Sequence, residues 1–235
     1  MGIYAAKLKS RLSKSEQNLL GGSMAWGDIP DWAYDSVHAL LQSLHAVEPT
    51  TYQHCLRVGE YCKKLSADVG LNEFEQKVAE FSGLLHDIGK IGIEKEVLLK
   101  PSKLDPRELD IMRNHSVISE QIIQPLSAHP FFKQILPAVR GHHERLDGEG
   151  YPDKLAGEAI PLISRIILVV DTYDAMAENR VYRKGLPDDI IYSEIKRCTG
   201  TQFDPQIAKA FLENHARWKP TQDQETLHNI IKKVA

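Results

Sequence analysis

From Asp31 onward the apolar residues of this chain recur at helical spacing, and no alternating run long enough to make a strand interrupts them. Trp32, Ala33, Val37, Leu40, Leu41 and Leu44 share one helix face, and Pro49 with Thr50-Thr51 supplies a stop and a cap for the next helix, which carries His54, Val58, Tyr61 and Leu65. A further helix is expected over about Phe74 to Ile88, with Val78, Phe81, Leu84 and Leu85 inward and Gly89 at its end. Asp105-Pro106 opens another that should reach His115 and continue to Ile123, and Phe131 to His142 forms the next. The Gly- and Pro-rich stretch from Asp147 to Ile160 reads as a loop. Ile163 to Met176 is almost uniformly apolar, which suits a central buried helix better than a strand, and two amphipathic helices finish the chain. The fold class is therefore all-α.

The 235 residues, 42% of them hydrophobic, suffice for one sizeable core. Met1 to about Pro30, basic to Leu20 and then broken by Gly21-Gly22-Ser23, reads as a linker or extension before a domain over 31–235. No apolar run has the roughly 18 residues of a membrane span, and the first twenty residues do not resemble a secretion signal, so a cytoplasmic protein without a membrane partner is expected. A net charge of −3 argues against DNA as a partner. Cys55, Cys62 and Cys198 form no CxxC pair and suggest neither a disulfide frame nor a thiolate zinc site.

Histidine supplies the functional signal. Imidazole and carboxylate groups occur in five places: His54, the pair His86-Asp87, His115, the pair His142-His143, and Asp171. Each sits at a helix end or on an otherwise apolar helix, where an unpartnered polar side chain costs roughly 1–3 kcal/mol or more. Any one of them alone reads as a satisfied core or surface residue. Asp171 is harder to place that way, because it follows the apolar run Ile166-Ile167-Leu168-Val169-Val170. Together they form a donor set suited to divalent metals that carry out hydrolysis at neutral pH.

The run Gly83-Leu84-Leu85-His86-Asp87-Ile88-Gly89-Lys90-Ile91-Gly92 resembles the signature of the HD phosphohydrolases. His142-His143-Glu144-Arg145-Leu146-Asp147-Gly148-Glu149-Gly150-Tyr151-Pro152 is similar to the loop that defines their HD-GYP subgroup, a much more specific match. Flanking matches at His54-Cys55-Leu56-Arg57-Val58, Lys100-Pro101, Asp171-Thr172-Tyr173-Asp174-Ala175, Arg180-Val181-Tyr182-Arg183 and Phe203-Asp204-Pro205 extend the resemblance over about Asp31 to Leu212. It implies an HD-domain helical bundle with a GYP loop and a two-metal phosphodiesterase. Such an enzyme opens cyclic di-GMP to linear pGpG or further to GMP, by attack of a hydroxide held between the metals.

Carried onto this chain, the resemblance implies that His54, His86, Asp87 and Asp171 hold one divalent cation. His115, His142 and His143 hold the second, with Asp87 shared as the catalytic bridge. Iron or manganese is favoured, and zinc or nickel also suits these donors. Some relatives bind a third metal through a glutamate one helical turn before the first histidine; Thr50 stands there in this chain, so two metals are expected.

Lys90 is expected to contact the scissile phosphate, against the plainer reading of a lysine favoured at a helix C-terminus. Arg180 and Arg183 lie three apart and are expected to grip phosphates, against a solvated basic turn. Tyr151 binds substrate or packs the loop. Glu144 and Asp147 are expected to orient His142 or His143 and pin the loop, and Arg57 to pair with a buried carboxylate. The chain departs from the family pattern at Val181, Ala177 and Ser119, where Pro, Thr and Gly are usual. Two other readings remain open: a nucleotidase acting on mononucleotides, and a receptor or interaction module that binds the dinucleotide without turnover. A GGDEF-domain partner or an upstream sensor or receiver partner is also expected.

Overall fold

The computed structural model describes residues 29–178 and 184–218. Their helices are α1 (Asp31–Val47), α2 (Pro49–Asp68), α3 (Glu73–Leu85), a four-residue α4 (Lys95–Leu98), α5 (Pro106–Arg113), α6 (His115–Ile123), α7 (Pro130–Arg140), α8 (Leu162–Ala177), α9 (Asp188–Arg197) and α10 (Pro205–Asn214). No strand occurs among the described residues; a lone bridge pairs Thr199 with Phe203. The all-α expectation holds. None of these helices is long and apolar enough to cross a membrane.

The apolar run read as central is a helix. Every residue of α8 from Leu162 to Val170 is buried, and α8 packs against α2, α3, α7, α9 and α10. A strand has no partner here, whereas a helix satisfies its own backbone inside an apolar core. Arg165, in the middle of that run, is matched by Asp204, whose Oδ2 accepts from Nη1 at 2.8 Å. The other oxygen of Asp204 caps α10 by accepting from the Gln206 amide at 2.8 Å. That double use explains the Phe203-Asp204-Pro205 match.

Several boundaries differ from expectation, and most differ where histidines lie. The helix expected to run to Ile88 ends at Leu85, and Ile88–Gly92 is a separate 3-10 turn. The helix expected from Asp105 to Ile123 breaks at Asn114, so His115 begins α6. The helix expected to reach His142 stops at Arg140, leaving both histidines in the following turn. An unbroken helix would fan successive side chains about 100° apart; ending each one lets the histidines converge. The cap of α2 is also reassigned. Glu48, not the Thr50-Thr51 pair, is its N-cap, and its carboxylate accepts from the amides of Thr50 and Thr51, with Pro49 in the first turn.

Gly89 marks no helix end; it sits inside the 3-10 turn. A Cβ there would lie 2.0 Å from the His115 carbonyl oxygen, so only glycine allows the turn to press against α6. Ser119, one of the departures from the family pattern, completes that contact. Its hydroxyl accepts from the Gly89 amide at 2.8 Å and donates to the His86 carbonyl at 2.7 Å. This joins the His86-Asp87 segment to the helix that begins with His115.

Candidate metal centre

Three histidines close the helices that precede them. The Nδ1 of His86 donates to the Gly83 carbonyl at 2.7 Å, that of His115 to Met112 at 2.7 Å, and that of His142 to Val139 at 2.5 Å. Each bond serves a carbonyl in a last helical turn, where the regular backbone ladder runs out of amides. Because Nδ1 carries the proton, Nε2 of each neutral ring presents a bare lone pair. All three rings are buried.

Those lone pairs converge. The Nε2 atoms of His115 and His142 face each other at 3.1 Å, and Nε2 of His86 is buried with no hydrogen-bond partner. Two acceptors in contact and an orphaned third are costly unless a cation lies among them. Burial first, then neighbouring imidazoles, holds the imidazolium form of His142 well below its ordinary range, and burial drives His143 down to about 3. Neutral imidazole is the form that binds metal.

Asp87 stands between two sets of rings. Its Oδ2 lies 3.5 Å from Nε2 of His86 and 3.7 Å from Nε2 of His54, while Oδ1 lies 3.2 Å from Nε2 of His115. Burial opposes its ionisation, but the charge of Lys90 and then those of the histidines outweigh it and keep the carboxylate well below its ordinary pKa. Asp171, on α8, places Oδ1 at 3.0 Å from Nε2 of His54 and Oδ2 at 4.0 Å from Nδ1 of His143. His54, His86 and Asp87 lie close enough to hold one ion, and His115, His142 and His143 close enough to hold another. The seven residues singled out in the sequence are thus gathered into one nest, and the donor set fits two divalent cations.

His54 is anchored differently. Its Nδ1 donates to Asp174 Oδ2 at 2.7 Å, and Arg57 holds the same carboxylate through Nε to Oδ1 at 2.7 Å and Nη2 to Oδ2 at 2.9 Å. Burial disfavours charge on His54, yet the hydrogen bonds to Asp171 and Asp174 prevail and raise it to about 9. His54, Asp174 and Glu178 form a third group near enough to bind an ion. Arg57 already bridges its two carboxylates, with Nη2 2.7 Å from Glu178 Oε1. Glu48 is engaged as a cap.

The remaining expected residues divide. Lys90 donates from Nζ to Asp87 Oδ2 at 2.6 Å. The Tyr151 ring lies 4.7 Å from that of His143, and the Arg113 guanidinium sits 5.6 Å from the Tyr151 centroid. Glu144 is fully buried and accepts from the amides of Asp153 at 2.6 Å and Leu155 at 3.0 Å, so it pins the loop. Of the two roles expected of Glu144, orienting His142 or His143 gives way to pinning the loop, because both carboxylate oxygens serve loop amides, and His142 is held by the Val139 carbonyl. Asp147 likewise turns to Arg145 and to the Glu149 amide rather than to a histidine. Gly150 permits the loop to fold back: a Cβ there would meet the Arg145 amide nitrogen at 2.4 Å. Arg180, Val181 and Arg183 lie outside the described residues, as does most of the expected N-terminal extension.

Sequence reasoning assigned no role to two groups. Asp174 had a signal, since it stands one turn after Asp171 and shares its helix face. Arg113 had none beyond its place two residues before His115.

A helical domain in which two clusters of imidazoles face one carboxylate has the donor set of a metal-binding protein. The comparisons narrow it. An HD domain is matched over residues 38–207, and this chain belongs to that family, in its HD-GYP branch. A cyclic di-GMP phosphodiesterase of Thermotoga maritima is 30% identical over 230 residues, covering 96% of this chain and 61% of that protein. A 3'3'-cGAMP-specific phosphodiesterase 1 of Vibrio cholerae is 42% identical over 170 residues, covering 72% of this chain and 38% of its relative. Among solved structures, Bd1817, an HDG"Y"P protein of Bdellovibrio bacteriovorus, shares the fold with a TM-score of 0.58 at 12% identity, covering 92% of this chain and 71% of that one. The chain therefore spans less than two thirds of these curated relatives.

Proposed function

We propose that this chain is a metal-dependent phosphodiesterase that opens a cyclic dinucleotide, cyclic di-GMP, to linear pGpG or further to GMP. The observation that carries the reading is the placement of the two Asp87 oxygens toward two separate groups of imidazoles, Oδ2 toward His54 and His86 and Oδ1 toward His115. Two divalent cations, iron or manganese by preference, would polarise the phosphodiester and activate a water molecule between them. His54, His86, Asp87 and Asp171 would hold one, and His115, His142 and His143 the other.

The chain's own groups do the rest. Lys90, tethered to Asp87, can turn its ammonium to the non-bridging oxygens of the scissile phosphate, where charge builds during cleavage. Tyr151 offers a phenol and a ring face at the edge of the centre, held against His143 by the loop that Glu144 anchors. Arg180 and Arg183 would grip the phosphates, a role supported by their spacing and by the family resemblance. Regulation by an upstream sensor or receiver segment, or by a GGDEF-domain partner, is supported by the greater length of the relatives.

Protein purified without oxygen and loaded with Mn(II) or Fe(II) should hold two ions per chain and convert cyclic di-GMP to pGpG. A panel containing 3'3'-cGAMP separates the two substrates named among the relatives. Binding of cyclic di-GMP without hydrolysis by fully loaded protein would instead identify a receptor. Hydrolysis confined to mononucleotides would identify a nucleotidase.

A further inference from the structure

Of the imidazoles in the centre, His86, His115 and His142 are backed by neutral backbone carbonyls, whereas His54 is backed by a carboxylate. Asp174 is 4% exposed and takes three hydrogen bonds, two of them from Arg57, so it cannot swing away from the ring. Arg57 is fixed in turn by Glu178. This chain of contacts runs from α8 to α2 and ends with Nε2 of His54 aimed between Asp171 Oδ1 at 3.0 Å and Asp87 Oδ2 at 3.7 Å.

We propose that Asp174 is a positioning residue that fixes His54 as an Nε2 donor and makes the half of the centre built on His54 the half that binds a divalent cation more tightly. The inference rests on the two-metal reading above. A carboxylate on the distal nitrogen sets the tautomer, fixes the ring plane and makes the imidazole a stronger donor than a carbonyl does. The same half already has both Asp171 Oδ1 and Asp87 Oδ2, the latter shared with Lys90 Nζ at 2.6 Å, so two carboxylates and the strengthened imidazole gather on one side. The other half has three imidazoles and the single near oxygen Asp87 Oδ1. Cations should therefore load in order, the His54 half first.

The test titrates Mn(II) into the metal-free protein and follows bound metal, with thermal unfolding of the metal-free form measured in parallel. Wild type should take up two ions in a tight and a weak phase. Asp174→Asn should weaken the tight phase by about 10–100-fold, the usual effect of losing such a partner. Glu178→Gln, which loosens Arg57 but leaves Asp174 on His54, should weaken the tight phase less than Asp174→Asn does. His142→Ala should abolish the weak phase and keep the tight one, and this holds as the deciding result if Asp174→Asn does not fold. An unchanged isotherm for Asp174→Asn with lowered thermal stability would reduce Asp174 to an ion pair between helices and overturn the proposal. Loss of the tight phase in His142→Ala would do the same. Wild type binding fewer than two ions would instead overturn the two-metal reading itself.

Discussion

The half of the centre built on His54 and His86 faces two carboxylates, Asp87 and Asp171, and one of its imidazoles leans on a third, Asp174. The half built on His115, His142 and His143 has the far oxygen of Asp87 at 3.2 Å and that of Asp171 no nearer than 4.0 Å. The first half is assembled from the middles of α2 and α8 and from the His86-Asp87 junction. The second comes from helix ends, where histidines close open carbonyls. A polar group in mid-helix must be paired through tertiary contacts, whereas one at a helix end can be oriented by its own backbone. That difference explains why one half is rich in charge and the other in neutral donors.

The largest effect should come from the residue the halves share. Asp87→Ala should lose both ions and at least about 10³-fold in turnover, roughly 4 kcal/mol of transition-state stabilisation; metal analysis and a cyclic di-GMP assay check it, and one retained ion would show that the halves are independent. His115→Ala should remove only the ion of the imidazole-rich half, leaving one per chain with turnover down about 10²-fold. Loss of both ions would show that the His54 half needs its neighbour. Lys90→Ala should lower turnover about 10- to 100-fold while metal content stays at two, the range of one electrostatic contact to the reacting group. A fall in metal content would make Lys90 a support for Asp87. Ser119→Ala, at the seam between the halves, should cost about 1–3 kcal/mol of stability by leaving the Gly89 amide unpaired. Thermal denaturation reads it, and the ion count should not change.

Sequence and structure divided the work along physical lines. Helical spacing is a local property, so the all-α class, the buried run that became α8 and the Gly- and Pro-rich loop were legible from residues a few positions apart. The motifs also supplied the chemical identity of the donors, because imidazole and carboxylate have few other reasons to stand beside apolar helix faces. Helix ends were misjudged at His86, His115 and His142, since periodicity does not register a chain that stops so that a side chain can replace a backbone partner.

What the tertiary structure alone decided is direction. Asp174 lies 120 positions from His54, and no sequence pattern states that its carboxylate meets Nδ1 rather than solvent. Equally, Ser119 departs from the family pattern in the sequence, and becomes a tie between Gly89 and His86 only when α6 presses on the 3-10 turn. Residue type fixes what a side chain can bind, while the packing of helices distant in the chain fixes which of its atoms faces the centre.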